Sequence, residues 1–214
     1  MDIPFTTKQF FHVFAQYNNA VWPMQVVLTL LAVAAVLLLF SQFAAANRLI
    51  SEVLALLWAW MAIAYHFVFF TAINPAAWFF GGLFLAAALL FVWIGVVREQ
   101  LQFRARKDVW GWLGGLLIVY ALILYPLLGW WLGHRYPALP TFGLPCPTTI
   151  FTLGILLFAQ APVPRSTFIV PLLWSAIGTL AAVRLNVPQD LGLLVAGLIA
   201  AKFLIFSAKY SGKI

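Results

Sequence analysis

Few side chains in this sequence could do chemistry inside its long apolar runs, and one of them is an imidazole. His66 lies in the segment 65–78, YHFVFFTAINPAAW, where an apolar run breaks at Asn74 and Pro75 and then resumes. An ionisable side chain at membrane depth is costly and usually faces a bundle interior or a water-filled cavity. We therefore expect a binding site here, with Tyr65 and Asn74 beside the ring. The structural alternative is a neutral histidine bonded to a carbonyl group or to a neighbouring helix.

Four more polar side chains could contribute to the same site: Asn19, Gln25, Cys146 and Asp190. Helix starts lie close to these positions, and a helix start can receive an anionic or polar ligand group. Cys146 is the only cysteine, so no internal disulfide forms, and an external thiol near histidine could hold a soft metal. Three of the candidates have a structural alternative, in which Asn74 and Asp190 only cap helices and Cys146 is an inert thiol.

The composition places these groups in a membrane protein. The chain is 65% hydrophobic and 8% charged, with a mean hydropathy of +1.03, whereas soluble domains are near half apolar and a quarter charged. Lipid must be the solvent for most of this surface, so the expected partners are the bilayer and a small molecule. The net charge of +7 fits short cytoplasmic loops better than nucleic-acid binding. A homo-oligomer or a membrane-protein partner stays open.

The apolar runs predict one all-α domain over residues 1–214, a polytopic membrane helix bundle of about seven transmembrane helices plus a short N-terminal interfacial helix. The interfacial helix is expected within 5–18. Four aromatic residues share one side of it at helical spacing: Phe10, Phe11, Phe14 and Tyr17. The seven spans are expected at about 20–40, 49–71, 76–97, 110–131, 148–161, 168–183 and 191–207. The fifth is short enough to be a re-entrant segment instead.

The basic residues predict the orientation. With seven crossings, nine of them lie on one side: Arg48, Arg98, Arg104, Arg106, Lys107, Arg165, Lys202, Lys209 and Lys213. The other side has three: Lys8, Arg135 and Arg184. If the fifth segment only dips and returns, the count becomes six against six. Because topology follows this bias, we expect seven spans, the N-terminus outside and the C-terminus in the cytoplasm. All the candidate site residues then lie toward the outer face.

No catalytic pattern accompanies these residues. A retinal protein would carry a lysine inside its last helix and a facing carboxylate, whereas Lys202 lies near the helix end. Neither a Gly-flanked serine nor an HExxH pattern occurs. Haem ligation by two histidines would need a second deep histidine besides His66. An enzyme is thus less expected than a binding protein, and the sequence leaves the identity of any cofactor or metal unknown.

Several segments together resemble a known family. They are the stretch 15–23, with Gln16 and Tyr17 taken as variable, and YHFVFFTAINPAAW, FVWIGVVREQLQF, YPLLGW and PLLWSAIG. This set resembles a bacterial family of unknown function, whose members are small multi-pass inner-membrane proteins, some labelled as permeases of the major facilitator type. The resemblance implies the fold and the bacterial inner membrane, but no activity. The permease label does not fit seven spans without a repeat.

The sequence thus predicts a polar pocket, open to the outer face, that binds or passes a small molecule. The pocket is expected to be lined by His66, Asn74 and Cys146, with Asn19, Gln25, Tyr65 and Asp190 nearby. Two other functions stay open. One is a structural or accessory subunit that docks through a lipid-facing stripe from Gly111 to Gly115. The other is a soft-metal or redox protein that uses Cys146.

We predict that a C-terminal fusion to a reporter enzyme active only outside the cytoplasm will be inactive, because seven crossings place the two termini on opposite sides. The same reporter inserted into the segment 134–147 should be active. An active C-terminal fusion would overturn the predicted orientation.

Overall fold

A computed structural model describes residues 4–211 of the chain, and its regular structure is helical. Nine α-helices occur in this part: α1 (Thr7–Ala20), α2 (Met24–Leu39), α3 (Ala46–Trp60), α4 (Ala77–Leu90), α5 (Val109–Val119), α6 (Tyr125–Trp131), α7 (Pro145–Leu156), α8 (Ser166–Leu185) and α9 (Gly192–Ser211). The all-α class is confirmed. Of the basic residues counted above, Lys213 and the side chain of Lys209 lie outside what the structure describes.

Three helices widen into π-helical turns. These turns are Met61–Phe67 after α3, Phe91–Val97 after α4, and Tyr120–Leu124 between α5 and α6. Each follows its α-helix without a break, so the stretches stay continuous over their full length. Short 3-10 turns, Phe70–Ala72 and Pro188–Leu191, follow the first of them and precede α9.

Five helical stretches of the described chain are long and apolar enough to cross a membrane: Ala46–Ala72, Ala77–Val97, Val109–Trp131, Ser166–Leu185 and Pro188–Ser207. A sixth candidate is the pair α1 and α2, which is bent by 86°. Helix α2 begins at Met24 rather than near residue 20, because α1 continues to Ala20. Helix α2 has 16 residues and helix α7 has only 12. The first and fifth predicted spans are therefore shorter than expected.

The outer sides of these stretches carry large apolar side chains. Trp112 on α5 is 72% exposed and Leu180 on α8 is 70% exposed. Similar residues occur on α2 and α9, among them Leu30 and Leu198. Apolar surface of this extent is unusual for a soluble monomer, and together with the helix lengths it suggests a membrane protein.

Helix α2 runs between the two ends of the bundle despite its length. Its first turn lies at the end that carries α1, here called the α1 end, where Gln25 Nε2 donates a hydrogen bond to Asn18 O at 2.8 Å. Its last turn lies at the opposite end, where Ala105 N donates to Leu39 O at 3.1 Å. The linker between α4 and α5 is therefore at the opposite end.

Helix α7 is the buried centre of the bundle and also joins its two ends. Every residue of α7 except Cys146 is buried. The chain leaves α7 at the opposite end, where Gln160 N donates to Gln102 O at 2.8 Å. Two glycines allow α5 to approach α7 closely, since a Cβ on Gly114 would lie 2.8 Å from Gly154 O. The fifth predicted segment thus passes between the two ends and does not turn back.

The glycine-rich start of α5 packs inside the chain. A Cβ on Gly111 would lie 2.1 Å from Arg106 O, and Gly114 faces α7. Asp108 caps this helix by accepting a hydrogen bond from Gly111 N at 3.1 Å, and hydrogen bonds from Arg106 hold the pKa of its carboxyl below the usual range. Gly111 and Gly114 therefore pack within the chain, whereas a Cβ on Gly115 would meet open space. Only part of the stripe from Gly111 to Gly115 is thus free to contact another helix.

Helix α1 lies across the α1 end of the bundle. A capping box starts it, in which Thr6 Oγ1 accepts from Gln9 N at 3.3 Å and Gln9 Oε1 accepts from Thr6 N at 2.8 Å. Its predicted aromatic side faces the bundle, with three rings buried and one partly buried: Phe10, Phe14, Tyr17 and Phe11. These buried rings pack the short helix against the rest of the bundle.

Asn18, near the end of α1, holds the loop that precedes α7. Its Nδ2 donates to Pro137 O at 2.7 Å and to Leu139 O at 2.8 Å. Its Oδ1 accepts from Thr141 Oγ1 at 2.7 Å, and its backbone oxygen accepts from Gln25. One fully buried amide thus joins α1, the loop and α2.

We predict that Asn18→Ala lowers the free energy of unfolding by roughly 1–3 kcal/mol, because two loop carbonyl groups lose their donor. Loss of monodisperse protein after heating in mild detergent would measure the effect. Asn19→Ala is the matched control, since Asn19 is the next residue, is exposed, and its side chain makes no hydrogen bond to another described residue. Equal stability of the two variants would contradict this role of Asn18.

Candidate functional site

A cavity of about 740 Å³ lies at the α1 end, beneath α1. Its wall is formed by α1, α4, α6, α7, α8 and the turns that follow α3 and precede α9. Eight aromatic side chains supply much of this wall: Phe5, Phe10, Phe14, Tyr65, Phe70, Phe80, Tyr125 and Trp174. The volume is in the usual range for small-molecule sites, roughly 300–1,000 Å³. The wall is mostly apolar, whereas the sequence predicted a polar pocket.

Four of the seven predicted site residues line this cavity: Tyr65, Asn74, Cys146 and Asp190. They come from four separate parts of the chain, and the fold brings them together at one end. Asn19 and Gln25 do not line it. Asn19 is exposed, and Gln25 is buried with its amide bonded to Asn18.

Asp190 is the only carboxylate in the cavity wall within the described chain. It is 3% exposed, and its Oδ1 accepts a hydrogen bond from the Tyr125 hydroxyl. The Cys146 thiol lies beside the carboxylate, and the Trp174 indole lies beside the thiol. The ion pairs within residues 4–207 do not include Asp190. The side chain thus points at Tyr125 and Cys146 in the cavity wall and does not cap α9, the structural alternative raised above.

Two tyrosines of the α5–α6 stretch position Asp190. The Tyr120 hydroxyl donates to Gln189 O at 2.7 Å, and its ring fills the space beside Gly192, where a Cβ would lie 2.4 Å from it. Tyr125 lies at the start of α6, directly after the π-helical turn. One tyrosine therefore holds the backbone before α9 and the other holds the Asp190 carboxylate.

Asn74 both lines the cavity and shapes the chain before α4. Its Oδ1 accepts a hydrogen bond from Ala76 N at 3.1 Å, which satisfies one backbone N–H just before the helix begins at Ala77. Its side chain is partly exposed. The structural alternative raised for this residue therefore coexists with its place in the wall.

The rim of the cavity lies at the end of α8. Arg184 and Leu180 line the cavity and are both exposed on the outside of the bundle. Because Leu180 also belongs to the apolar outer surface, the cavity is open toward the side of the bundle there. Arg184 supplies the only basic group of the wall within the described residues.

His66 lies behind the cavity wall and does not line it. Its ring is fully buried, with centroid distances of 4.6 Å to Phe84, 5.4 Å to Trp174 and 5.7 Å to Phe70. Both ring nitrogens lack a hydrogen-bond partner within the described residues. Phe70 and Trp174 also face the cavity, so one layer of aromatic rings separates the imidazole from it.

Tyr125 and Trp174 are site residues that the sequence reasoning missed. Aromatic residues near the ends of apolar runs are expected in membrane-interface belts, and nothing in their spacing sets these two apart. One feature of the sequence could have indicated them: both residues lie in segments that carry the family resemblance, YPLLGW and PLLWSAIG.

Metal binding was one of the open alternatives. Among the residues that the structure describes, no group of three or more His, Cys, Asp or Glu side chains is placed to hold a metal ion. Cys146 has Asp190 as its acidic neighbour in the cavity wall.

We predict that His66→Phe leaves the free energy of unfolding unchanged or raises it, because the substitution removes two unpaired buried nitrogens from an aromatic environment. Thr152→Val is the comparison. Thr152 Oγ1 accepts from Trp58 Nε1 at 3.0 Å, so its loss should cost roughly 1–3 kcal/mol. Thermal unfolding in detergent measures both. A large loss of stability in His66→Phe would show that the imidazole has a bonding partner.

Comparison with known proteins shows the family to which this chain belongs. A family model described as a family of unknown function, DUF6064, matches residues 7–213. No curated protein and no solved structure matches the chain. The match includes all the helices and turns that form the cavity wall, so the resemblance seen in the sequence is confirmed as membership of a family of unknown function. The chain belongs to the DUF6064 family.

Proposed function

We propose that this protein is a polytopic membrane protein that binds a small molecule in the cavity beneath α1. The observation that carries the proposal is the cavity itself, a volume of about 740 Å³ with an aromatic wall and a few convergent polar groups. Small-molecule sites are usually concave and mostly apolar, with a small number of polar groups that fix the ligand's orientation. Asp190, Tyr65 and Cys146 would be those groups.

We propose further that the α1 end faces outward from a bacterial inner membrane. The linker between α4 and α5 lies at the opposite end and carries Arg98, Arg104 and Arg106. Lys8, Arg135 and Arg184 belong to the α1 end. Short cytoplasmic loops are enriched in lysine and arginine, which supports this orientation. The ligand would then reach the site from the outer side or from the outer part of the bilayer.

Binding, rather than open passage, is the function that we propose. Beneath the cavity, α7 is buried on all sides from Pro147 to Leu156. Above the cavity, α1 is held down by the hydrogen bond from Thr7 Oγ1 to Leu185 O at 3.2 Å. Movement of a ligand across the bundle would require a second conformation in which one of these helices shifts.

A substitution that fills the cavity tests the proposal. Ala181 lies in the cavity wall on α8, so Ala181→Trp should exclude the ligand. Ala176 lies on the same helix but is exposed on its outer side, so Ala176→Trp is the matched control. We expect wild type and Ala176→Trp, purified in lipid nanodiscs, to retain a compound that Ala181→Trp loses. Mass spectrometry of extracted small molecules makes the comparison.

Cys146 provides a second readout, because it is the only cysteine and lines the cavity. N-ethylmaleimide should label it about tenfold more slowly in Ala181→Trp than in Ala176→Trp, a difference of about 1.4 kcal/mol in access. If both variants retain the same compounds and label at the wild-type rate, the cavity is not a binding site.

A further inference from the structure

We infer that the ligand of this cavity is an organic cation with an apolar body. The inference rests on the proposed binding function and adds the chemical class of the ligand. It depends on the charges of the wall, on the aromatic rings and on the position of Asp190 among them.

The charges of the wall favour a cation. Asp190 is almost fully buried, whereas Arg184 is exposed at the rim. Within the described residues, Asp190 has hydrogen-bonding neighbours but no basic partner. A buried carboxylate without a counter-charge is costly when ionised, and a cation in the cavity would supply that charge. Arg184 is exposed at the outside of the bundle, so its charge is screened more strongly than that of the buried Asp190.

The aromatic rings favour the same class of ligand. A cation over the face of an aromatic ring is attracted by the negative charge density of that face, by about 0.5–2 kcal/mol per contact. Eight aromatic side chains line this cavity, and they also offer apolar surface to the body of the ligand. An anion over such a face would be repelled instead. The rings and the carboxylate therefore select for the same charge.

The surroundings of Asp190 leave the carboxylate available. The Tyr125 hydroxyl donates to Oδ1 alone, and the neighbouring Cys146 thiol is a weak donor. The Tyr65 hydroxyl makes no hydrogen bond within the described chain and lies in the same wall. A protonated amine could displace the thiol contact and bond to the carboxylate. A quaternary cation would instead be held by charge and by the rings.

Two ions of nearly the same size and shape but opposite charge provide the test. Tetraphenylphosphonium is a cation and tetraphenylborate is an anion. Their binding to the purified wild-type protein in a nonionic detergent would be measured by equilibrium dialysis. Ala181→Trp in the same detergent serves as the blank for partition into micelles. We expect the phosphonium ion to bind at least about tenfold more tightly than the borate ion.

Two variants then test whether the Asp190 carboxylate is the charge that attracts the cation. Asp190→Asn should weaken phosphonium binding by about tenfold or more. Glu99→Gln is the matched control, since Glu99 is an exposed carboxylate at the opposite end, and it should leave binding unchanged. The comparison of the two ions on wild-type protein needs no variant, so the inference remains testable if Asp190→Asn does not fold.

The outcomes separate this inference from the proposed function. If the borate ion binds as well as the phosphonium ion or better, and Ala181→Trp abolishes its binding, the cavity is a binding site but the inferred charge is wrong. Unchanged phosphonium binding in folded Asp190→Asn would also refute the role of the carboxylate. If Ala181→Trp changes the binding of neither ion, both the binding function and its inferred ligand class fail.

Discussion

Helix α7 is too short to cross a bilayer alone. The arrangement of the bundle depends on how the backbone polar groups of the chain on both sides of α7 are hydrogen-bonded. The 12 residues of α7 extend for about 18 Å, against about 30 Å of hydrocarbon. The chain on both sides must therefore be irregular at membrane depth, which is tolerated only where its polar groups are bonded within the protein. Asn18 supplies those bonds at the α1 end, and the chain around Gln102 supplies them at the other. The loop before α7 also contributes Pro140 and Leu144 to the cavity wall, next to Phe10 and Phe14 of α1.

The cavity and the buried histidine show two different ways of placing a polar group in this bundle. Asp190 lies in a turn before α9, where its carboxyl group contacts the Tyr125 hydroxyl and the Cys146 thiol in the cavity wall. His66 lies in a continuous helical stretch and is surrounded by aromatic rings, none of which makes a hydrogen bond to it. The first arrangement places a carboxyl group in the wall of the cavity. The second arrangement leaves two buried nitrogens of His66 without a hydrogen bond, which costs stability. The rings of Phe70 and Trp174 separate this imidazole from the cavity.

The long apolar runs and the aromatic side of α1 could be predicted, because both depend on spacing along a single helix. Phe10, Phe14 and Tyr17 recur every three or four residues and are buried together. The clustering of Cys146 and Asp190 could also be predicted, since alternating crossings return those segments to one end. The sequence could not predict that Asn18, and not Asn19, bonds to the loop before α7. That depends on which side of α1 faces the loop. The apolar character of the cavity was missed for the same reason, as the inward sides of α1 and α8 are defined only by packing.

The π-helical turns have a consequence for how this bundle can vary. Such a turn holds one residue more than an α-helical turn without interrupting the helix. Tyr65 lies in one of them and Tyr125 directly follows another, so a single inserted or deleted residue there would rotate the following side chains by about 100°. The deeper halves of the same helices, which pack around α7, would keep their register. Relatives of this chain could thus acquire differently shaped or differently charged chambers while preserving one common scaffold below them.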